Sequence, residues 1–139
     1  MNPGQLSKML LVDTHILVWD ALTPQRLSSP AVQALSQANQ GDGLLISDIS
    51  LWEIAMLVQK GRVKVNTDCQ SFITLILQAN NCQVRPITPQ IATLSVGFPN
   101  MVNQDPADRL ILATAAAENV PLMTADQNLQ AANIVPTIW

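Results

Sequence analysis

Four acidic side chains stand against apolar runs: Asp13 in LLVDTHILVW, Glu53 in SLWEIAMLV, Asp108 in DPADRLILATA and Asp126 in PLMTADQNL. The chain holds only 10 acids, so four beside its most apolar segments is a biased placement. A carboxylate next to a core segment is costly unless it is paired, hydrogen-bonded or bound to a metal. If the four converge, they form a patch of negative charge that needs a cation. An all-oxygen donor set suits Mg²⁺ or Mn²⁺. The first chemistry these residues suggest is therefore a carboxylate-only metal site.

Each acid also has a purely structural role open to it. Asp105 and Asp108 flank Pro106 with the spacing of an N-cap and an N3 acid, where a carboxylate complements the helix dipole. Asp126 suits an N-cap, or Thr124 caps with Gln127 completing the box. Asp13 is able to cap the helix that follows it. Glu53 is the hardest to dismiss, because it is the only non-apolar residue from Leu51 to Val58. Thr14, Ser50 and Thr124 neighbour the acids and are placed to hydrogen-bond them or a metal-bound water. Arg109, directly after Asp108, is a candidate partner for a carboxylate or a phosphate. His15 is the only histidine, so neither a histidine metal site nor a Ser-His-Asp triad can be assembled. Lys60, Arg62 and Lys64 read as a solvated basic turn or a phosphate contact. The five glycines form neither a Walker A loop nor a dinucleotide fingerprint.

The elements that must position these residues alternate. Apolar runs of strand length are expected at Met9–Val12, Leu44–Ser47, Gln83–Ile87, Pro121–Thr124 and Ile134–Thr137. Helical patterns lie between them: His15–Leu22, Pro30–Gln40 with Ser29 as N-cap, Ser50–Lys60 closed by Gly61, Asp68–Asn80, Pro89–Val96, Pro106–Glu118 and Asp126–Ala132. Short apolar strands alternating with helices predict an α/β fold with a parallel sheet covered on both faces. Ligands bind beyond the carboxyl ends of such strands. Asp13, Glu53 and Asp126 fall at that edge, and Asp108 reaches it if its helix starts there.

Length and composition bound the rest. A chain of 139 residues is read as a single domain able to bury a core. Charged residues are 12%, about half the usual ~25%, so some apolar surface is expected to face a partner. The net charge of −3 and a pI near 4.7 supply no global attraction to nucleic acid. The N-terminus carries no secretory pattern, and no run of ~18 apolar residues spans a membrane. Cys69 and Cys82 match no metal spacing and read as reduced thiols, which together place the chain in the cytoplasm.

The order D-T-H-I-L-V-W, S-L-W-E-I-A with K-G-R downstream, D-P-A-D-R-L-I-L-A-T-A and L-M-T-A-D resembles the PIN domain, specifically the toxin ribonucleases of VapBC-type toxin–antitoxin pairs. The resemblance runs from about Leu10 to Asn128. It implies a three-layer α/β/α sandwich with a five-stranded parallel sheet and a Mg²⁺- or Mn²⁺-dependent endoribonuclease. Its acidic constellation falls on Asp13, Glu53, Asp108 and Asp126, with Asp13 and Asp108 expected as direct metal ligands. It also implies a homodimer neutralised by a small antitoxin that inserts residues near the site. Leu57, Val58, Phe72, Leu75 and Ile76 are the apolar positions singled out for self-association or antitoxin docking. One departure is visible: relatives often carry histidine two residues before the DPxDR motif, where this chain has Asn103.

Other classes fit worse. A haloacid-dehalogenase-type phosphatase needs a second Asp two residues after its nucleophile, and that position is His15. A receiver domain needs an acid at the end of its third strand, which here reads Arg85-Pro86-Ile87. A catalytically silent PIN-like module that binds RNA or protein is the remaining alternative.

Overall fold

A computed structural model describes residues 9–139. The run 1–8, which bears on the expected lack of a secretory signal, lies outside the described residues. Five strands form one all-parallel sheet: β1 Leu10–Val12, β2 Leu44–Ser47, β3 Cys82–Arg85, β4 Leu122–Met123 and β5 Thr137–Ile138. Their spatial order is β3-β2-β1-β4-β5. The helices are α1 Thr14–Leu22, α2 Ser29–Gln40, α3 Asp48–Gln59, α4 Cys69–Ala79, α5 Pro89–Gly97, α6 Pro106–Glu118 and α7 Gln127–Ala131, with a 3₁₀ turn at Pro24–Arg26.

Alternation along the strands builds two cores, one on each face. Leu10, Val12, Leu44, Ile46 and Met123 meet Ile16, Leu17, Leu35, Ile54, Phe72 and Ile76 from α1 to α4. Leu11, Leu45 and Leu122 point the other way, onto Ile111, Leu112 and Ala115 of α6 and Leu129 of α7. The three inner strands are buried on both faces, which is why they read as unbroken apolar runs. The parallel sheet covered on both faces, expected from the alternation, and the five-stranded α/β/α sandwich that the resemblance implies are the observed fold.

Several boundaries move, each for a local reason. Ser28, not Ser29, caps α2, its Oγ accepting from Ala31 N at 3.2 Å. Helix α3 begins at Asp48 with Ser47 as N-cap, two residues before the expected start. Strand β5 begins after Pro136 rather than at Ile134. Proline has no N–H for the ladder, so its carbonyl takes Leu122 N and pairing starts at Thr137. Gly43, at φ +99, lets β2 start against β3: a Cβ there would sit 2.7 Å from the Asn81 carbonyl oxygen.

The apolar face proposed for docking is mostly core. Phe72 and Ile76 are buried, Leu57 and Val58 pack against the same cluster, and only Leu75 is well exposed. The faces of α3 and α4 look wide in the sequence because both helices cover one side of a short sheet and pack on each other. Cys69 and Cys82 are both half-buried and carry free thiols. Among the described residues, no helix is long and apolar enough to cross a membrane.

Candidate functional site

The chain runs outward from β1 to β2 and β3, then returns to lay β4 on the other side of β1. The crevice between β1 and β4 is thus the switch point of the sheet, where α/β folds place ligands. Asp13 follows β1 and Asp126 follows β4, so both stand at this crevice. Helices α3 and α6 pack together and bring Glu53 and Asp108 to the same edge. A cavity of about 290 Å³ results, lined by Asp13, His15, Trp19, Glu53, Asp105, Asp108, Ala125 and Asp126. No lysine or arginine lines it. All four acids singled out in the sequence meet here.

Asp13 is buried, and both its oxygens are held. Oδ1 accepts from Thr14 N at 2.8 Å and Oδ2 from Thr124 Oγ1 at 2.6 Å. The Thr14 hydroxyl lies 2.5 Å from Glu53 Oε1, to which it donates, and 2.9 Å from Ser50 Oγ. Thr14 and Thr124 therefore orient two of the carboxylates. Glu53 lies well past the first turn of α3, because the helix starts earlier than expected. The dipole effect fades within that turn, so capping electrostatics do not explain Glu53.

Capping and site roles coincide elsewhere. Asp13 is the N-cap of α1, and Asp126 caps α7, its Oδ1 accepting from Asn128 N and Leu129 N at 2.8 and 3.1 Å. Asp105 caps α6 through Oδ1, at 2.8 Å from Ala107 N and 3.2 Å from Asp108 N. Asp105 and Asp126 cap through Oδ1 alone, which leaves Oδ2 of each for a ligand role.

The tightest cluster is not the expected set. One oxygen each from Glu53, Asp105 and Asp108 lie within 4.8 Å of one another. Asp105 is the residue that sequence reasoning passed over as a cap alone. The signal was present, since Asp105 and Asp108 sit three apart across a helix start and so share a face. Asn103 also has a visible job. Its Nδ2 donates to Asp108 Oδ2 at 2.7 Å, and its Oδ1 accepts from Asp105 N at 2.9 Å. It thereby sets the orientation of one acid and the backbone of the other.

Arg109 is neither a carboxylate partner nor a phosphate contact here. It is buried, and its guanidinium donates to carbonyls: Nε to Asn103 at 2.9 Å, Nη1 to Ser95 and Phe98 at 3.0 and 3.1 Å, and Nη2 to Pro99 at 2.9 Å. It pins the segment between α5 and α6, and so supports the site through Asn103. His15 is exposed at the cavity mouth, with its ring 6.0 Å from that of Trp19.

Electrostatics follow from crowding. Burial, and then Asp13, Asp105, Glu53 and Asp126, push the Asp108 carboxyl up from 3.8 to about 7. Burial raises Asp13 as well, against the lowering effect of its hydrogen bonds from Thr124 and Thr14. Glu53 is raised by burial, with Thr14 opposing. Like charges share one small cavity that no lysine or arginine lines, and only His15 at its mouth offsets Asp13 and Glu53 in part. A divalent cation on oxygen ligands fits this donor set, with Glu53, Asp105 and Asp108 closest to one another.

The sequence pattern of the PIN domain matches residues 10–134. The chain is 36% identical over 121 residues to ribonuclease VapC22 of Mycobacterium tuberculosis (strain ATCC 25618 / H37Rv), spanning 87% of this chain and 89% of that protein. It belongs to the PIN-domain family, in the VapC group. Its fold is similar to that in the crystal structure of VapBC2 from Rickettsia felis bound to a DNA fragment from their promoter. That match has a TM-score of 0.70 at 19% identity and covers 93% of this chain and 96% of the other. A toxin–antitoxin complex from Klebsiella pneumoniae matches with a TM-score of 0.61 at 23% identity, over 88% and 90% of the two chains.

Proposed function

We propose that this chain is a Mg²⁺- or Mn²⁺-dependent endoribonuclease, the toxin of a toxin–antitoxin pair, working in the cytoplasm as a single PIN domain. The observation that carries the reading is the cavity of clustered carboxylates at the sheet's switch point, lined by no lysine or arginine, in a chain 36% identical to a protein named a ribonuclease. Asp13, Glu53, Asp108 and Asp126 are the catalytic and metal-binding residues, and Asp105 joins them. Held by these carboxylates, a divalent ion would supply a water of lowered pKa, and positive charge where the phosphodiester gains negative charge. It also lets an acidic protein hold an RNA backbone.

The chain's own residues position and exclude. Thr124 and Thr14 keep Asp13 and Glu53 aimed into the cavity, and Asn103 does the same for Asp108. The buried strands beneath close the floor to bulk water. The metal-free state is poised for loading, because a cation that restores charge balance recovers the free energy lost to carboxylate repulsion.

The fold likeness to toxin–antitoxin complexes supports a small antitoxin as partner, and the low charge content supports a homodimer. Cleavage of RNA by purified protein should require Mg²⁺ or Mn²⁺ and vanish in Asp13→Asn. Metal-independent cutting, or full activity in the variant, would reject the assignment. RNA binding with no cleavage by wild type would favour the silent module. Sedimentation equilibrium at micromolar concentration tests the homodimer: a single species of 15.1 kDa contradicts it.

A further inference from the structure

The acidic cavity has an apolar neighbour. Glu53 and Asp105 also wall a second cavity of about 440 Å³, lined otherwise by Ile49, Trp52, Pro106, Ala107 and Leu110. It lies between the first halves of α3 and α6. Apart from the two shared carboxylates, its lining is apolar. Trp52 directly precedes Glu53, yet it is 56% exposed, while its helix neighbours Ser50 and Ile54 are buried. The largest side chain in the lining thus shows much of its indole to solvent beside the carboxylate cluster.

We propose that this second cavity is a nucleobase subsite, in which Trp52 stacks an unpaired base of the RNA. The proposal rests on the ribonuclease reading and names the part of the substrate that reading leaves open. The two cavities share walls, so a phosphate at the carboxylates carries its own or the adjoining base to the apolar side. No lysine or arginine lines the second cavity, so it does not suit a second phosphate. The base is the uncharged, flat part of a nucleotide and fits an apolar cleft with an aromatic wall. Every base has a π-face, so an indole there grips without dictating sequence. A duplex keeps its bases stacked on each other, so the subsite selects single-stranded RNA, loops or ends.

The test uses end-labelled single-stranded RNA oligonucleotides of mixed sequence, with duplexes of equal length. Binding is read by fluorescence anisotropy with Ca²⁺ in place of Mg²⁺, on wild type, Trp52→Ala and Trp52→Phe. Melting temperatures should match, because the side chain is largely exposed. Trp52→Ala should weaken single-strand binding by about 5-fold to about 150-fold. Trp52→Phe should retain most of the affinity, and weak duplex binding should change little in either variant. In Mg²⁺, Trp52→Ala should raise KM more than it lowers kcat.

Equal single-strand affinity in wild type and Trp52→Ala overturns the subsite. If wild type still cleaves and Asp13→Asn does not, the ribonuclease reading survives that failure. Neither binding nor cleavage by wild type removes both. Unchanged RNA affinity with lost capture of a co-expressed antitoxin assigns the cavity to the protein partner and overturns the base subsite.

Discussion

Asp108 shows how much a single side chain depends on its company. Its carboxyl sits at about 7 because burial and four other acids disfavour its charge. A carboxyl raised in the folded state binds its proton more tightly there than in the unfolded chain. The stability it contributes is complete below the ordinary value of 3.8 and is lost as pH rises through about 7. Asp13 and Glu53 shift in the same direction. Metal-free protein should therefore melt lower at about pH 8 than at about pH 5. Asp108→Asn should melt higher than wild type at the alkaline end and show little advantage at the acid end. Thermal melts in chelator across this range check the claim, and a variant less stable at both ends would make Asp108 a structural residue. Asn103 acts through Asp108, so Asn103→Ala should lower metal affinity or activity by about 10-fold to about 100-fold, with the fold intact. Metal titration followed by cleavage assays would show it.

At the scale of elements, the site depends on a segment with little regular structure. The chain between α5 and α6 is held by Arg109, whose donors are distributed over several backbone carbonyls. Removing the guanidinium leaves those carbonyls without their donors in a buried place. Arg109→Ala should cost about 3 kcal/mol or more in denaturant unfolding. Arg109→Lys should rescue little, because one ammonium cannot span the positions that a planar fork reaches. Full stability in the lysine variant would show that the charge matters and the fork does not. The same variants should lose activity at temperatures where they remain folded, since Asn103 sits in the pinned segment.

At the scale of the whole molecule, a ligand that binds only the folded state stabilises it by mass action. A hundredfold excess over Kd is worth about 2.7 kcal/mol. Millimolar Mn²⁺ should raise the melting temperature of wild type and leave Asp13→Asn nearly unmoved. Equal shifts in the two proteins would place the ion elsewhere. Two buried cores, one on each face of a five-stranded sheet, make the edge a rigid frame for such a site.

The amino-acid sequence alone pointed to the fold class and to four acids, whose meeting in one cavity the tertiary structure then brings about. Both are written in local patterns: unbroken apolar strands need cover on both faces, and a carboxylate beside an apolar run needs a partner. Asp13, Glu53, Asp108 and Asp126 were legible for that reason. Tertiary structure decided what depends on distance across the chain. It moved the tight cluster onto Glu53, Asp105 and Asp108, because packing of α3 on α6 sets which oxygens meet. It turned Arg109 away from phosphate and onto carbonyls, since a buried guanidinium takes whatever acceptors the fold leaves bare. It made Phe72 and Ile76 core rather than docking surface, because helical periodicity marks an apolar face without saying what covers it. It left Trp52 exposed beside the acids for the same reason: which neighbour reaches a side chain is settled only when the helices meet.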